Sequence, residues 1–373
     1  MIHVALLGYG TVGRGTVDLL EENFEVIRRK TGLEVGVKYI VDLRDFPGDH
    51  NEKKLTKDFN DVLNDPEVSV VCEMIGGSHP AMDFTKKAFA AGKSVVTSNK
   101  EVVSKFGVEL LAEAKKYGVS YLFEASVGGG IPILRPLMTC LADNEIERID
   151  AIVNGTTNYI LTSMFVSGVS FEDALASAQK KGYAEANPSA DVDGIDAARK
   201  IVILSALSWG SLLSPDALHV EGIRDVNSED VRIAGENGCT IKLIAHAAKN
   251  GGKTEIFVAP CMVRSEHLLS HVSDVFNAVA VRGNFVGDTL FYGRGAGADP
   301  TASAVCADVI DIARNGRKNR PEWTEMAPTA ILPYEDVESD FCVIENGKGS
   351  IVEKTTLRSL SSSKPGARIF RVI

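Results

Sequence analysis

The chain has 373 residues, enough for two domains with their own cores, and its 45% apolar and 24% charged residues are an ordinary globular balance. A formal net charge of −10 argues against a nucleic-acid partner, whose phosphates would be repelled. No stretch approaches the roughly 20 apolar residues of a membrane span, and MIHVALLGYG lacks the basic start of a secretory signal, so no membrane association and a cytoplasmic location are expected.

The six cysteines, at 72, 140, 239, 261, 306 and 342, form no CxxC pair and fit reduced thiols. His267 and His271 have the spacing of a metal pair, but no third ligand is suggested nearby.

In chain order, short apolar runs at Val4–Leu7, Val35–Val41, Val68–Met74, Ser94–Thr97 and Val119–Phe123 read as strands. Helical patterns at Thr11–Lys30, His79–Ala91 and Lys100–Tyr117 lie between them. Alternating strand and helix predicts an α/β fold with a doubly wound parallel sheet of the Rossmann type.

From about Ile146 the pattern changes. IERIDAIVN reads as a strand, Thr157–Val166 and Phe171–Lys181 as helices, and Ala190–Ser208 as one long helix. Strand-like runs follow at Thr240–Ala248, Ile256–Val263, Asn277–Arg282 and Thr289–Tyr292, then a helix over Thr301–Ala313. This predicts a second, mixed α/β domain, and after it a polar, Ser-rich tail ending in the strand-like RIFRVI.

GYGTVG places Gly8, Gly10 and Gly13, with Thr11 and Val12, where the first strand turns into the first helix. In that context the motif binds a dinucleotide: Gly8 permits the turn, Gly10 lets backbone approach a pyrophosphate, and Gly13 lets helix pack on strand. The second strand ends in VDLRD, where Asp42 suits the ribose 2′-OH of NAD and Arg44 a 2′-phosphate of NADP, with Lys57 able to assist. Asp42 tilts the expectation towards NAD.

Beyond the third and fourth strands come GGSHP and SNKE. Lys100 opens a helix, an unfavourable place for a cation unless it has a task. In EASVGGGIP, Glu124 and a run of small residues read either as a hinge or as oxygen ligands for a hard cation.

GYAEANPSADVDGIDAARK, 182–200, combines four carboxylates with a helix start, and Asp196 and Lys200 share one helix face. The helix runs on into the apolar IVILSALSW, so an exposed ion pair is the poorer reading. Carboxylates and a lysine there suit a substrate bearing an ammonium group and a reducible carbonyl.

Together, GYGTVGRG, TSNKE, EASVGGGIP, NGTTNYI, GYAEANPSADVDGIDAARK and GAGADPTASAV closely resemble the homoserine dehydrogenases, in order and over about residues 1–315. The resemblance implies NAD(P)-dependent interconversion of L-aspartate 4-semialdehyde and L-homoserine, on the route to threonine, methionine and isoleucine. It implies Lys200 as proton donor and Lys100 as a second essential lysine. Glu185 and Asp196, supported by Asp191, would hold the substrate, with Thr157 and Tyr183 beside them, and Gly182 and Gly297 would contact the cofactor.

Glu124 with the carbonyls of Val127, Gly129 and Ile131 would form a structural sodium or potassium site, and the family habit is a homodimer joined through the second domain. The expected domains are 1–145, rejoined by the helix at 299–315; 146–298, for catalysis and dimerisation; and a tail, 316–373, too short for a complete threonine-sensing ACT domain, so weak or absent threonine feedback is expected. The competing readings are another dehydrogenase of a small amino or hydroxy acid, and a non-catalytic NAD-binding sensor.

Overall fold

The computed structural model describes residues 1–316 and 321–373. The chain forms two compact units: residues 1–140 with 210–212 and 296–325, and residues 141–209 with 213–295 and 326–373.

The first unit is built on six parallel strands, β1 (Ile2–Leu7), β2 (Val35–Val41), β3 (Leu55–Thr56), β4 (Val68–Glu73), β5 (Ser94–Thr97) and β6 (Tyr121–Leu122), in the order β3-β2-β1-β4-β5-β6. Winding outwards both ways from β1 and β4 leaves a crevice at their carboxyl ends, the place where such sheets bind ligands. Val4, Leu6, Val70, Cys72 and Val96 are buried, together with Val17 and Leu20 of helix Thr11–Glu22 and Val305 and Val309 of helix Ala298–Asn315. These two helices touch where Gly15 lies against the Ala298 carbonyl; a Cβ there would stand 3.2 Å from its oxygen.

The single helix expected over Thr11–Lys30 is two, Thr11–Glu22 and Phe24–Thr31, parted at Asn23. β3 was not anticipated; its two residues are too few to leave a period in the sequence.

The second unit carries a mixed, nine-stranded sheet. Its principal strands are β7 (Ile146–Ile152), β8 (Cys239–Asn250), β9 (Lys253–Arg264), β10 (Phe276–Gly283), β11 (Gly287–Arg294), β12 (Ser339–Glu345), β13 (Lys348–Thr355) and β14 (Arg368–Val372). The order is β11-β10-β7-β8-β9-β14-β12-β13, and the short strand His219–Val220 pairs beside β9. β14 runs parallel to β9 and antiparallel to β12.

The C-terminal stretch is therefore not a tail. Residues 326–373 belong to the second unit and supply three of its strands. In β12, Phe341, Cys342, Val343 and Ile344 are all buried, a four-residue apolar run among serines and lysines that composition alone obscures. The first boundary falls after residue 140 rather than 145.

Candidate active site

In the first unit, the turn after β1 brings Gly8, Gly10 and Gly13 together. Gly8 has φ +98°, and a Cβ at Gly13 would lie 2.2 Å from the Gly8 carbonyl oxygen. Both glycines are required by backbone packing. Gly10 caps helix Thr11–Glu22 and a Cβ there would meet no atom within 4 Å, so the open space lies over Gly10, where a pyrophosphate would rest on the helix amino end. The residues present fit a dinucleotide.

Asp42 and Arg44, expected as alternative readers of the ribose, are one ion pair. Arg44 donates through Nε (3.0 Å) and Nη2 (2.8 Å) to the two Asp42 oxygens, which also accept the N–H of Arg44 and of Tyr9. The Arg44 guanidinium holds the Asp42 carboxyl well below the usual carboxylate range. Arg44 also lies over the Phe46 ring, 5.1 Å from its centroid, while Lys57 pairs with Asp45 at 2.7 Å.

Beyond β4 the loops are tied by groups the sequence reading did not single out. Glu73, fully buried, accepts from Thr97 Oγ1 (2.6 Å) and from the Ile75 N–H (2.8 Å), and burial raises its carboxyl pKa. Asn99 donates to the Gly77 carbonyl (2.7 Å) and caps helix Lys100–Tyr117, accepting from Val102 N–H. GGSHP and SNKE are thereby held together, with Lys100 as the first helical residue. Gly297, at φ +127°, caps helix Ala298–Asn315 in the same unit.

Glu124 is buried, and its carboxylate accepts the N–H groups of Ile133, Leu134 and Arg135 at 2.7, 2.9 and 2.7 Å. Asp308, pushed up to about 7 by burial, accepts Glu124 N–H and pairs with Arg135 at 2.6 Å. Among the described residues no backbone N–H bonds the carbonyls of Val127, Gly129 or Ile131. Carboxylate and carbonyl oxygens are the donor type a hard cation takes, but both Glu124 oxygens are already engaged by the backbone N–H groups of Ile133, Leu134 and Arg135. Among the described residues no cluster of three or more His, Cys, Asp or Glu could hold a metal, and His267 instead caps the short turn Leu268–His271.

In the second unit, the long helix expected over Ala190–Ser208 is broken. A short turn, Ser189–Val192, precedes helix Ile195–Trp209, and Gly194 joins them at φ +82°. In one continuous helix residues 191 and 196 would point about 140° apart, at about 100° per residue. The left-handed glycine instead lets both carboxylates reach one amide: Asn154 Nδ2 donates to Asp191 Oδ1 at 2.7 Å and to Asp196 Oδ2 at 3.0 Å.

Lys200, buried one turn on, donates to Asp196 Oδ2 at 2.7 Å and to the Val153 carbonyl at 2.6 Å. Burial raises the Asp191 carboxyl, Asn154 opposes this, and the charge of Asp196 adds to the rise.

Thr157 is buried in the same network, its N–H bonded to Asn154 Oδ1 (2.9 Å) and its hydroxyl to the Asn154 carbonyl (3.1 Å). Its neighbour Thr156 donates to the Tyr183 carbonyl at 2.7 Å, fixing the loop that carries Gly182, Tyr183 and the exposed Glu185. The Tyr183 ring stands edge-on to Tyr159 at 5.2 Å.

Two family models cover most of the sequence: one described as homoserine dehydrogenase, NAD binding domain, matches residues 8–124, and one described as homoserine dehydrogenase matches residues 132–310. The chain belongs to the homoserine dehydrogenase family.

The homoserine dehydrogenase of Synechocystis sp. is 43% identical over 320 residues, 83% of this chain and 73% of that protein. That of Pseudomonas aeruginosa is 41% identical over 349 residues, 91% of this chain and 80% of its own length. A crystal structure of a homoserine dehydrogenase from Thiobacillus denitrificans superposes with a TM-score of 0.90 at 35% identity, covering 100% of this chain and 98% of that one. A hyperthermophilic archaeal homoserine dehydrogenase in complex with NADPH superposes at 0.71 with 29% identity, covering 86% and 99%.

The protein is thus a homoserine dehydrogenase, an NAD(P)-dependent oxidoreductase of amino-acid biosynthesis that uses a nicotinamide cofactor and a small-molecule substrate. Among the described residues no helix is long and apolar enough to cross a membrane.

Of the dehydrogenase residues expected from sequence, Gly8, Gly10, Thr11, Val12, Gly13, Asp42 and Arg44 meet around one turn, and Thr157, Asp191, Asp196 and Lys200 meet around Asn154. Asn154 and Val153 were missed. The available signal was Asn154 itself, an N-cap residue type directly before a helical pattern.

Proposed function

We propose that Lys200 transfers the proton in homoserine oxidation and in the reverse reduction, and the single observation carrying this reading is its buried ammonium held between Asp196 and the Val153 carbonyl. The nicotinamide supplies the hydride chemistry when bound. Lys200 neutralises negative charge as it develops on the carbonyl oxygen and gives that oxygen a proton; in oxidation it takes the proton back. Asp196 keeps the ammonium oriented. Glu185 and Asp196 take the ammonium and hydroxyl ends of homoserine, Asp191 supports them, and Tyr183 and Thr157 shape the loop and helix start around them.

Lys100, in the dinucleotide-binding unit, is the second essential lysine, and Gly182 and Gly297 are cofactor contacts. The Asp42–Arg44 pair supports use of both NAD and NADP, because either group can be presented to the ribose by a turn of the exposed Arg44 side chain. Glu124 with the carbonyls of Val127, Gly129 and Ile131 is read as a structural sodium or potassium site; adding either cation to cation-free enzyme should then raise Tm, and no change in Tm removes the reading. A homodimer through the second sheet is supported by its edge strand β11 and the turn before it, which leave Phe285, Val286, Leu290 and Tyr292 exposed. A cytoplasmic location accords with the same reading.

The test follows reduced nicotinamide formed from homoserine with NAD⁺ and NADP⁺, for the parent enzyme and Lys200→Met. The expected loss in the variant is about 10²–10⁴-fold in kcat, the usual weight of a general acid–base group, with cofactor binding kept. A variant within ten-fold of the parent overturns the assignment of Lys200.

A further inference from the structure

Asn154 sits where β7 ends and helix Gly155–Ser167 begins, and its side chain is engaged at both ends. Oδ1 accepts the Thr157 N–H at 2.9 Å, capping the helix. Nδ2 donates to Asp191 Oδ1 at 2.7 Å and to Asp196 Oδ2 at 3.0 Å. The residue before it, Val153, gives its carbonyl to Lys200 Nζ at 2.6 Å.

Serine, threonine or aspartate would cap a helix about as well as asparagine. Capping alone therefore does not account for an amide here. Among these short side chains only the carboxamide offers an acceptor for the helix and, on the opposite side, an NH₂ group with one hydrogen for each of two carboxylates.

Two carboxylates converging on one point repel, and each disfavours the ionised form of the other. The Asn154 amide meets Asp191, from the turn Ser189–Val192, and Asp196, from helix Ile195–Trp209, and Lys200 of that helix donates to Asp196. Asp196 Oδ2 accepts from both Asn154 and Lys200, so the amide and the ammonium share one oxygen. The amide draws negative charge away from the lysine side of that oxygen and holds the two carboxylates across the Gly194 break.

We propose that Asn154 is a positioning residue for proton transfer: its carboxamide clamps Asp191 to Asp196 and, through Asp196, sets the place of the Lys200 ammonium and how tightly it keeps its proton. This rests on the reading of Lys200 as the proton-transferring group. Removal of the amide leaves Asp196 to pair more strongly with Lys200, so the lysine gives up its proton at higher pH.

The experiment compares Asn154→Ser and Asn154→Asp, both of which keep a helix cap, with Lys200→Met in the full-length enzyme. Cofactor-binding titration counts competent molecules, and kcat is followed across pH. The expected result is a ten-fold or larger fall in kcat for both Asn154 variants, unchanged cofactor affinity, and a limb of the kcat–pH profile moved to higher pH in Asn154→Ser.

Lys200→Met inactive, with both Asn154 variants near the parent kcat and pH profile, overturns the positioning role and leaves Lys200 in place. Lys200→Met active removes both readings together. Should Asn154→Ser not fold, Asn154→Asp, nearly identical in shape, decides by its kcat alone.

Discussion

Arg44 grips Asp42 in a two-pronged ion pair, Nε on one carboxylate oxygen at 3.0 Å and Nη2 on the other at 2.8 Å. The acid that would hold the ribose of NAD and the base that would hold the phosphate of NADP thus neutralise one another. Arg44→Ala should free Asp42, lowering kcat/KM with NADP⁺ ten-fold or more while leaving that with NAD⁺ unchanged or raised. The ratio of the two, measured in one buffer because the phosphate contact is salt-sensitive, should move by at least that factor; an unmoved ratio would sink the idea that this pair reads the cofactor.

Gly10 and Gly13 should respond oppositely to the same added methyl. At Gly13 a Cβ falls 2.2 Å from the Gly8 carbonyl oxygen, so Gly13→Ala must displace backbone and cost about 1–3 kcal/mol, the usual range for overpacking. At Gly10 there is open space within 4 Å. Gly10→Ala should keep its Tm and lose cofactor affinity ten-fold or more, as thermal melts and cofactor titrations would reveal.

Lys242 is buried, donates to the Val272 carbonyl at 2.6 Å and to Asn158 at 3.2 Å, and burial lowers its pKa from 10.5 to about 8. Between those values the unfolded chain binds the extra proton, so stability rises with pH across about 8 to 10.5, by up to about 3 kcal/mol. Lys242→Met should flatten this rise in urea-unfolding curves taken at pH 8 and pH 10. A parent protein whose stability falls across that window would contradict the assignment.

His246 has the opposite sign. Burial alone would lower its pKa, but the charges and hydrogen bonds of Asp150, at 2.7 Å, and of Glu255, at 3.5 Å, together outweigh burial and raise it. The stabilising pair is complete below the unfolded value of about 6.5 and fades as pH rises through the raised folded value. His246→Gln should therefore cost more stability at pH 5.5 than at pH 9, and an equal loss at both would rule out the charged pair.

The left-handed joint at Gly194 should matter more to chemistry than to folding. A Cβ there meets Val220 Cγ1 at 3.0 Å, and φ +82° costs a non-glycine residue about 1–2 kcal/mol. Gly194→Ala should lower Tm by a few degrees yet reduce kcat ten-fold or more, because the helix can straighten only by parting Asp191 from Asn154. Full activity at reduced Tm would mean that the two carboxylates need not converge.

The first sheet was legible because buried parallel strands leave predominantly apolar runs, as in Val68–Met74 and Val35–Val41, with helical periods between them. Lys200 and Asp196 were legible as an i, i+4 pair on an apolar helix. Their setting was not. That Asp191 joins them depends on the backbone sign at Gly194, which no side-chain period reports, and the Val153 carbonyl belongs to no side chain. The clamp between Asp42 and Arg44 escaped because each residue alone suggested a ligand, whereas their two-residue spacing at a strand end lets them satisfy one another. In the C-terminal stretch RIFRVI was legible as a strand, but the Ser- and Lys-rich connections hid that β12 and β13 form a hairpin and that β14 pairs with β9, far away in sequence.

The position of β14 has a bearing on biogenesis. It follows every other strand of the second sheet in the chain, yet lies inside the sheet, with Cys261 and Met262 of β9 on one side and Asp340–Ile344 of β12 on the other. A nascent chain that has emerged only as far as Lys364 possesses the β12–β13 hairpin but no neighbour to seat it against β9. Synthesis must therefore hold an unsealed sheet until Arg368–Val372 arrives, and a ribosome stalled or a protease cutting a few residues early releases a protein with two open strand edges in place of one continuous sheet.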